Sequence, residues 1–243
     1  MKSVAIITAR GGSKRIPRKN IKEFCGKPIL AYSIEAAIAS GCFDMVMVST
    51  DDEEIADLAK QYGAQVPFYR SEATANDYAT TTDVLLEVLG EFEKRGEHFE
   101  KACCIYPTAP FLTADRLTEA MGLLEDAQTE CVLPVVRFSF PPQRSVVMKD
   151  GYLQPKWPEC MPMRSQDLEP FYHDVGQFYC FKVDSFLEQQ NLMMKKMVPF
   201  EMSELEVQDI DTSEDWKIAE IKYSMMCEKK QEGNWNANTK SNI

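Results

Sequence analysis

Short apolar runs alternate with segments of helical period from residue 3 to residue 137, and few architectures satisfy that order. "SVAIIT" reads as a buried strand. "KPILAYSIEAAIASG" follows, with Leu30, Ile34, Ala37 and Ile38 on one helical face, Pro28 in the first turn and Gly41 as the stop. "DMVMVST" is the next strand, "EEIADLAKQYG" a helix stopped at Gly63, and "AQVPF" a short strand. From Thr80, "TTTDVLLEVLGEFEKRG" places Val84, Leu85, Val88, Leu89 and Phe92 together. "KACCIYP" is a strand ended by Pro107. Thr113 then caps a helix with Leu117, Ala120, Met121 and Leu124 inward, and "CVLPVV" is a further strand. This alternation predicts an α/β fold, a mostly parallel sheet wrapped by helices. Open sheets of that kind bind ligands at the carboxyl ends of their strands. The notable polar residues sit there: Arg10 to Asn20, Ser49-Thr50-Asp51, Arg70, and Pro107-Thr108.

The pattern breaks near residue 138. "FSFPPQRSVVMKDGYLQPKWPECMPMRSQDLEPFY" is rich in Pro and turn residues, with "KDG" as a hairpin signal. It reads as an arm at about 138–175, inserted in a single domain spanning 1–230. Phe138, Phe140, Trp157 and Met163 make it a poor free surface for a monomer. A homodimer is therefore expected, with the arm covering the neighbour's site. Regular structure returns with "GQFYCFKV" and "EVQDIDTSEDWKIAEIKYSMM", where Ser213 is expected to cap a helix burying Trp216, Ala219, Tyr223 and Met226. Residues 231–243 form a polar tail expected to fray.

The 243 residues are ample for one core. No stretch approaches the roughly 18 apolar residues of a membrane helix. The N-terminus enters a strand without a signal-peptide pattern, so a cytoplasmic location is expected. None of the eight cysteines forms a C-x-x-C pair, which points to buried reduced thiols rather than zinc or redox chemistry. A formal net charge of −11 argues against nucleic acid or an anionic membrane as partner.

Against that acidity, "ARGGSKRIPRKNIK" carries Arg10, Lys14, Arg15, Arg18, Lys19 and Lys22 and no acid. Gly11 and Gly12 supply a turn whose amides an anion can approach. Ser13 can donate a hydroxyl, Lys14 and Lys19 can neutralise oxygens, and Arg10 can hold two oxygens at once. The chemistry is that of a triphosphate or pyrophosphate site, although neither the P-loop nor the dinucleotide pattern is present; a solvated basic turn is the competing account. In "VQDIDT", Asp209 and Asp211 alternate and can project to one face, as Mg²⁺ held by two carboxylates and substrate phosphates requires; a strand end with a helix cap is the alternative. "VSTDD" can supply sugar or base contacts or an N-cap. "YRSEATANDYATTTD" can read a base edge or serve as a polar loop. Of the two histidines, His98 looks solvent-facing and His173 stands beside Asp174 and before Gly176.

"IITARGGSKRIPRKN", "VSTDDEEIA", "YPTAPF" and "DIDTSEDW" together resemble the CMP-sialic acid synthetase family of cytidylyltransferases, in order and spacing, over residues 3 to 225. The resemblance implies a Rossmann-like fold with helices on both faces, Mg²⁺, and dimers that exchange an arm. It implies coupling of CTP to a nonulosonic acid with release of pyrophosphate. Arg10, Gly11, Ser13, Lys14 and Lys19 would then serve the phosphates, Asn20 would position the nucleotide, and Arg70 with Thr80 and Thr81 would read cytosine and ribose. Asp209 and Asp211 would bind the metal, acting in catalysis with Lys19. Where sialic acid enzymes usually carry "QPTSPLR", this chain has "YPTAPFL". "RSQDLEPFYHDVGQFY" looks like the pseudaminic acid branch. Tyr106, Arg164, His173 and Gln177 are the sugar-side candidates. N-acetylneuraminic, legionaminic and 3-deoxy-manno-octulosonic acids are the alternative substrates, and a non-catalytic nucleotide-sugar sensor is the alternative class.

Overall fold

In the computed structural model, residues 2–240 are described. Strand β1 (Ser3–Thr8) leads into the basic loop, a small hairpin of β2 (Glu23–Phe24) and β3 (Lys27–Pro28), and helix α1 (Ile29–Ser40). Then come β4 (Met45–Ser49), α2 (Glu53–Gln61), the single turn α3 (Glu72–Ala75), α4 (Thr81–Lys94), β5 (Lys101–Ile105), α5 (Ala114–Leu123) and β6 (Cys131–Arg137). The arm holds the hairpin β7 (Val146–Lys149) and β8 (Tyr152–Pro155) and ends in β9 (Tyr172–Asp174). β10 (Phe178–Lys182), α6 (Val183–Gln189), β11 (Met197–Glu201) and α7 (Ser213–Lys240) complete the chain.

The main sheet runs β11-β6-β10-β5-β1-β4, with β9 also paired to β6. β1 is parallel to β4 and β5, and β6 is parallel to β11, whereas β10 is antiparallel to both β5 and β6. The sheet is thus mostly parallel, as expected, with β10 inserted against the grain at its centre. A strand that returns directly from the arm needs no crossover helix, so it enters antiparallel.

β1 is apolar from Val4 to Ile7 because both its faces are covered. Ala5 and Ile7 join one core with α1, α2 and α5, while Val4 and Ile6 join another with α4 and α6. The five predicted inward residues of α4 are all buried. Thr80 caps that helix through a reciprocal box with Asp83. Thr113 caps α5 by accepting from the Arg116 amide.

Three local expectations need correction. Ile38, placed on the inner face of α1, is 45 % exposed; α1 instead turns Ile29, Tyr32 and Ser33 inward with Leu30 and Ile34. "AQVPF" contributes a single bridge, Gln65 to Met47, because the chain leaves the sheet edge at Pro67. Thr212, not Ser213, caps α7: its hydroxyl accepts from the Asp215 amide at 3.2 Å while Asp215 Oδ2 accepts from the Thr212 amide at 2.7 Å. The range of α7 runs on to Lys240, and residues 241–243 of the polar tail lie outside the described residues.

A third core binds the start of α7 to the region after β1. The Phe24 ring meets Trp216 edge-on at 5.5 Å, and Lys22 Nζ stands 4.3 Å from the Trp216 ring centroid. Truncating such a buried indole costs about 3–5 kcal/mol. This contact carries the D-x-D segment to the basic loop.

In the arm, Asp150 and Gly151 take φ values of 51° and 82°, the left-handed pair that a two-residue hairpin turn demands. Every residue of β7 and β8 is exposed.

Candidate active site

A cleft of about 650 Å³ opens at the carboxyl ends of β1 and β5. Its walls include Arg10, Ser13, Lys14, Arg15, Lys19 and Asn20 from the basic loop, Arg70 and the Thr74–Thr81 region, and Tyr106 with Pro107 and Thr108. The loop after β1 is braced from within. Ser13 Oγ donates to the Ile16 carbonyl at 2.6 Å and Asn20 Nδ2 to the Arg10 carbonyl at 2.9 Å. The Gly11 amide donates to Asp51 Oδ1 at 2.9 Å, and a Cβ at Gly11 would fall 2.7 Å from Asp52 Oδ2. Glycine is therefore required here by the approach of Asp52; Gly12 faces open space.

The cations are balanced by acids from elsewhere in the chain. Asp77 accepts from Arg10 at 2.7 Å on one oxygen and pairs with Lys14 on the other. These bonds hold its carboxyl below the usual range, Lys14 contributing most. Arg15 pairs with Asp211 at 2.7 Å, and Lys19 donates to the Ile210 carbonyl at 2.6 Å with Asp211 at 3.6 Å. Arg18 turns away from the cleft, to Asp52 and Glu54.

Arg70 is buried under the cleft floor. Its Nε donates to Ser49 Oγ at 3.1 Å and its NH2 group to the Ser49 carbonyl at 2.7 Å, and burial lowers its pKa against Asp51 and Glu87. "VSTDD" is thus largely structural: Ser49 holds Arg70, Asp51 holds Gly11, and Asp52 caps α2 through the Ile55 amide. Glu87 braces the next loop by accepting from the Ser71 amide, the Ser71 hydroxyl and the Thr74 hydroxyl.

On the opposite wall, Thr81 Oγ1 and the Tyr106 hydroxyl lie 3.1 Å apart. Ser33 of α1 donates to the Tyr106 carbonyl at 2.8 Å, and the Tyr106 amide donates to the Gln177 carbonyl at 2.8 Å. The Gln177 side chain is buried and donates to the Glu206 carbonyl at 2.6 Å. Arg164 and His173 do not line this cleft. Arg164 pairs with Asp167 at 2.9 Å, and the exposed His173 packs on Phe138 with ring centroids 4.7 Å apart.

Asp209 and Asp211 adjoin the cleft through Lys19 and Arg15. Burial by surrounding protein and the Asp211 charge push the Asp209 carboxyl up, and Lys19 only partly opposes this, although the side chain still reaches solvent. Arg15 and Lys19 serve Asp211, Asp209 is left without a close cation of its own among the described residues, and a hard oxygen-seeking cation suits that pair of carboxylates.

Sequence reasoning did not single out Asp77, Glu87, Asp174 or Tyr179. Asp77 sits in a polar loop where nothing local marks it. Tyr179 reads as an ordinary core position of a strand.

A family model described as cytidylyltransferase matches residues 4–209. The chain belongs to the cytidylyltransferase family. It is a nucleotidyltransferase. A pseudaminic acid cytidylyltransferase of Campylobacter jejuni is 39 % identical over 226 residues, covering 93 % of this chain and 97 % of that protein. A CMP-N,N'-diacetyllegionaminic acid synthase of Legionella pneumophila is 32 % identical, covering 90 % of this chain and 95 % of that one. A solved CMP:2-keto-3-deoxy-manno-octonic acid synthetase complexed with CTP shares the fold, with a TM-score of 0.66 at 20 % identity, covering 94 % of this chain and 100 % of that one.

Proposed function

We propose that this cytidylyltransferase couples CTP to pseudaminic acid, releasing pyrophosphate. The observation that carries this reading is the polarity of the cleft: a cationic lip from Arg10 to Lys19 faces a neutral aromatic wall at Tyr106. A triphosphate suits the first, and the terminal methyl end of pseudaminic acid suits the second. The 39 % identity to a pseudaminic acid enzyme across nearly the whole chain supports the same substrate.

Arg10, Lys14 and Lys19 bind the phosphates once they leave their acidic partners, Asn20 keeps the loop in shape, and Arg70 with Thr80 and Thr81 orients the nucleoside. The anomeric hydroxyl of the sugar attacks the α-phosphorus. One P–O bond forms, the bond to the leaving pyrophosphate breaks, and the hydroxyl proton passes to solvent. Alignment and charge neutralisation supply most of the acceleration. Asp209 and Asp211 would hold Mg²⁺, which when bound supplies further neutralisation on the phosphates. The exposed apolar arm supports a homodimer, which would bring the Arg164 and His173 segment onto a neighbour.

Incubating the protein and CTP with a panel of nonulosonic acids, and weighing the products, tests the reading. CMP-pseudaminic acid is expected in at least about ten-fold excess over CMP-N-acetylneuraminic acid, since stranding a polar group of the glycerol tail costs about 1–3 kcal/mol. Equal incorporation overturns the choice of sugar.

A further inference from the structure

Tyr106 is the aromatic face of the cleft, and it is held from behind by a chain of groups that do not themselves line it. Tyr179 on β10 is 4 % exposed and meets the Tyr106 ring edge-on, with centroids 5.8 Å apart. The Tyr179 hydroxyl donates to Asp174 Oδ2, and the other oxygen, Oδ1, accepts the Gly176 amide at 2.8 Å. Asp174 ends β9 opposite Val135 of β6, so the carboxylate is anchored to the sheet at both of its oxygens and through its own backbone. On the cleft side, Thr81 closes the chain at the Tyr106 hydroxyl.

We infer that Asp174 is a positioning residue for the sugar half of the cleft, acting through Tyr179 to fix the ring and hydroxyl of Tyr106. The inference rests on the reading of the cleft as a CTP and sugar-acid site. Its chemical consequence follows from charge. A carboxylate behind the aromatic wall disfavours the sugar's own carboxylate there and favours its acylamino and methyl end. The Asp174 charge reaches the wall, since it adds to the burial that raises the Tyr106 phenol. A phenol–carboxylate bond away from water holds its geometry more firmly than a neutral pair does. Phe at position 179 would leave Asp174 with an unfilled acceptor, and Ala at 174 would leave a buried phenol without one.

Michaelis constants for pseudaminic acid and for CTP, measured side by side, test this. Asp174→Ala is expected to raise the sugar KM about ten-fold and leave the CTP KM within about two-fold, the size of losing one charge-assisted hydrogen bond on one substrate only. Asp174→Asn, which keeps the turn and one acceptor, is expected to raise it about three-fold. Tyr179→Phe keeps the ring and reports the same direction even if Asp174→Ala fails to fold. Unchanged sugar KM in both Asp174→Asn and Tyr179→Phe, or sugar and CTP constants rising together, overturns the assignment. A parent enzyme that incorporates no nonulosonic acid overturns the substrate reading and this inference with it; an active parent matched by its variants overturns only the role of Asp174.

Discussion

Lys19 donates through Nζ to the Ile210 carbonyl at 2.6 Å, joining the loop after the first strand to the D-x-D segment 191 positions later. The contact leaves the ammonium in reach of Asp211 and fixes where its charge stands relative to the phosphates. Lys19→Ala is therefore expected to lower kcat by about 10²–10³ while changing the CTP KM much less. Arg18, its near neighbour, serves Asp52 and Glu54 instead. Arg18→Ala is expected to keep kcat within a few-fold and to cost at most about 1 kcal/mol of stability. Steady-state kinetics with thermal melting separates the two; an equal fall in kcat would mean a diffuse basic attraction rather than a defined site.

The raised Asp209 carboxyl has a stability consequence whose sign is fixed. A carboxyl that holds its proton more tightly when folded binds more protons in the native chain than in the unfolded one. Stability therefore falls as pH rises from the ordinary carboxylate value of 3.8 through the raised one, and the penalty persists at neutral pH. Asp209→Asn is expected to melt higher than the parent at pH 7 without added metal, with the gap closing toward acid, and to lose turnover. Mg²⁺ should narrow the gap by stabilising the parent. A variant that melts lower at pH 7 would show that the carboxylate is not strained by its neighbours.

Asp77 occupies the two cations that a triphosphate would need. Freed of that partner, Arg10 and Lys14 should meet phosphate oxygens more readily. Asp77→Asn is expected to tighten CTP binding about two- to five-fold, a modest gain because the pairs are solvent-accessible. Calorimetric titration with CTP measures it. Weaker binding would place Asp77 among the groups that support the bound nucleotide.

Met148 and Leu153 face each other across the arm hairpin and are 76 % and 66 % exposed. Replacing both with Glu should convert a dimer to a monomer, because the apolar area that association would bury becomes charged. Light scattering of the parent and the double variant reads the masses. A parent of monomer mass with full activity would remove the arm from the site.

The helices with a clean apolar face were legible residue by residue. In α4, Val84, Leu85, Val88, Leu89 and Phe92 stand where spacing placed them, and the Thr80 cap seen in the structure agrees with that period and burial. α1 was legible in its extent but not in its faces. It lies between sheet, hairpin and α7 and is buried on more than one side, so a single stripe underdescribes it. The cap of α7 slipped by one residue since Thr212 and Ser213 offer equivalent acceptor hydroxyls locally, and only Asp215 chooses between them. The basic loop was visible as charge, yet its partners were not, because Asp77 and Asp211 reach it from distant segments.

The order of strands and helices, the apolar faces of α4 and α5, the hairpin turn at Asp150-Gly151 and the family motifs followed from local pattern, since backbone preference and periodic burial act over a few residues. What tertiary structure alone decided is pairing across distance. It set β10 antiparallel between β5 and β6, gave the acidic partners to the loop cations, placed Ser49 under Arg70, and put Tyr179 and Asp174 behind Tyr106. Those choices depend on which segments meet once both faces of β1 are covered, and hydrogen bonds and ion pairs between residues distant in sequence leave no periodic trace in the chain.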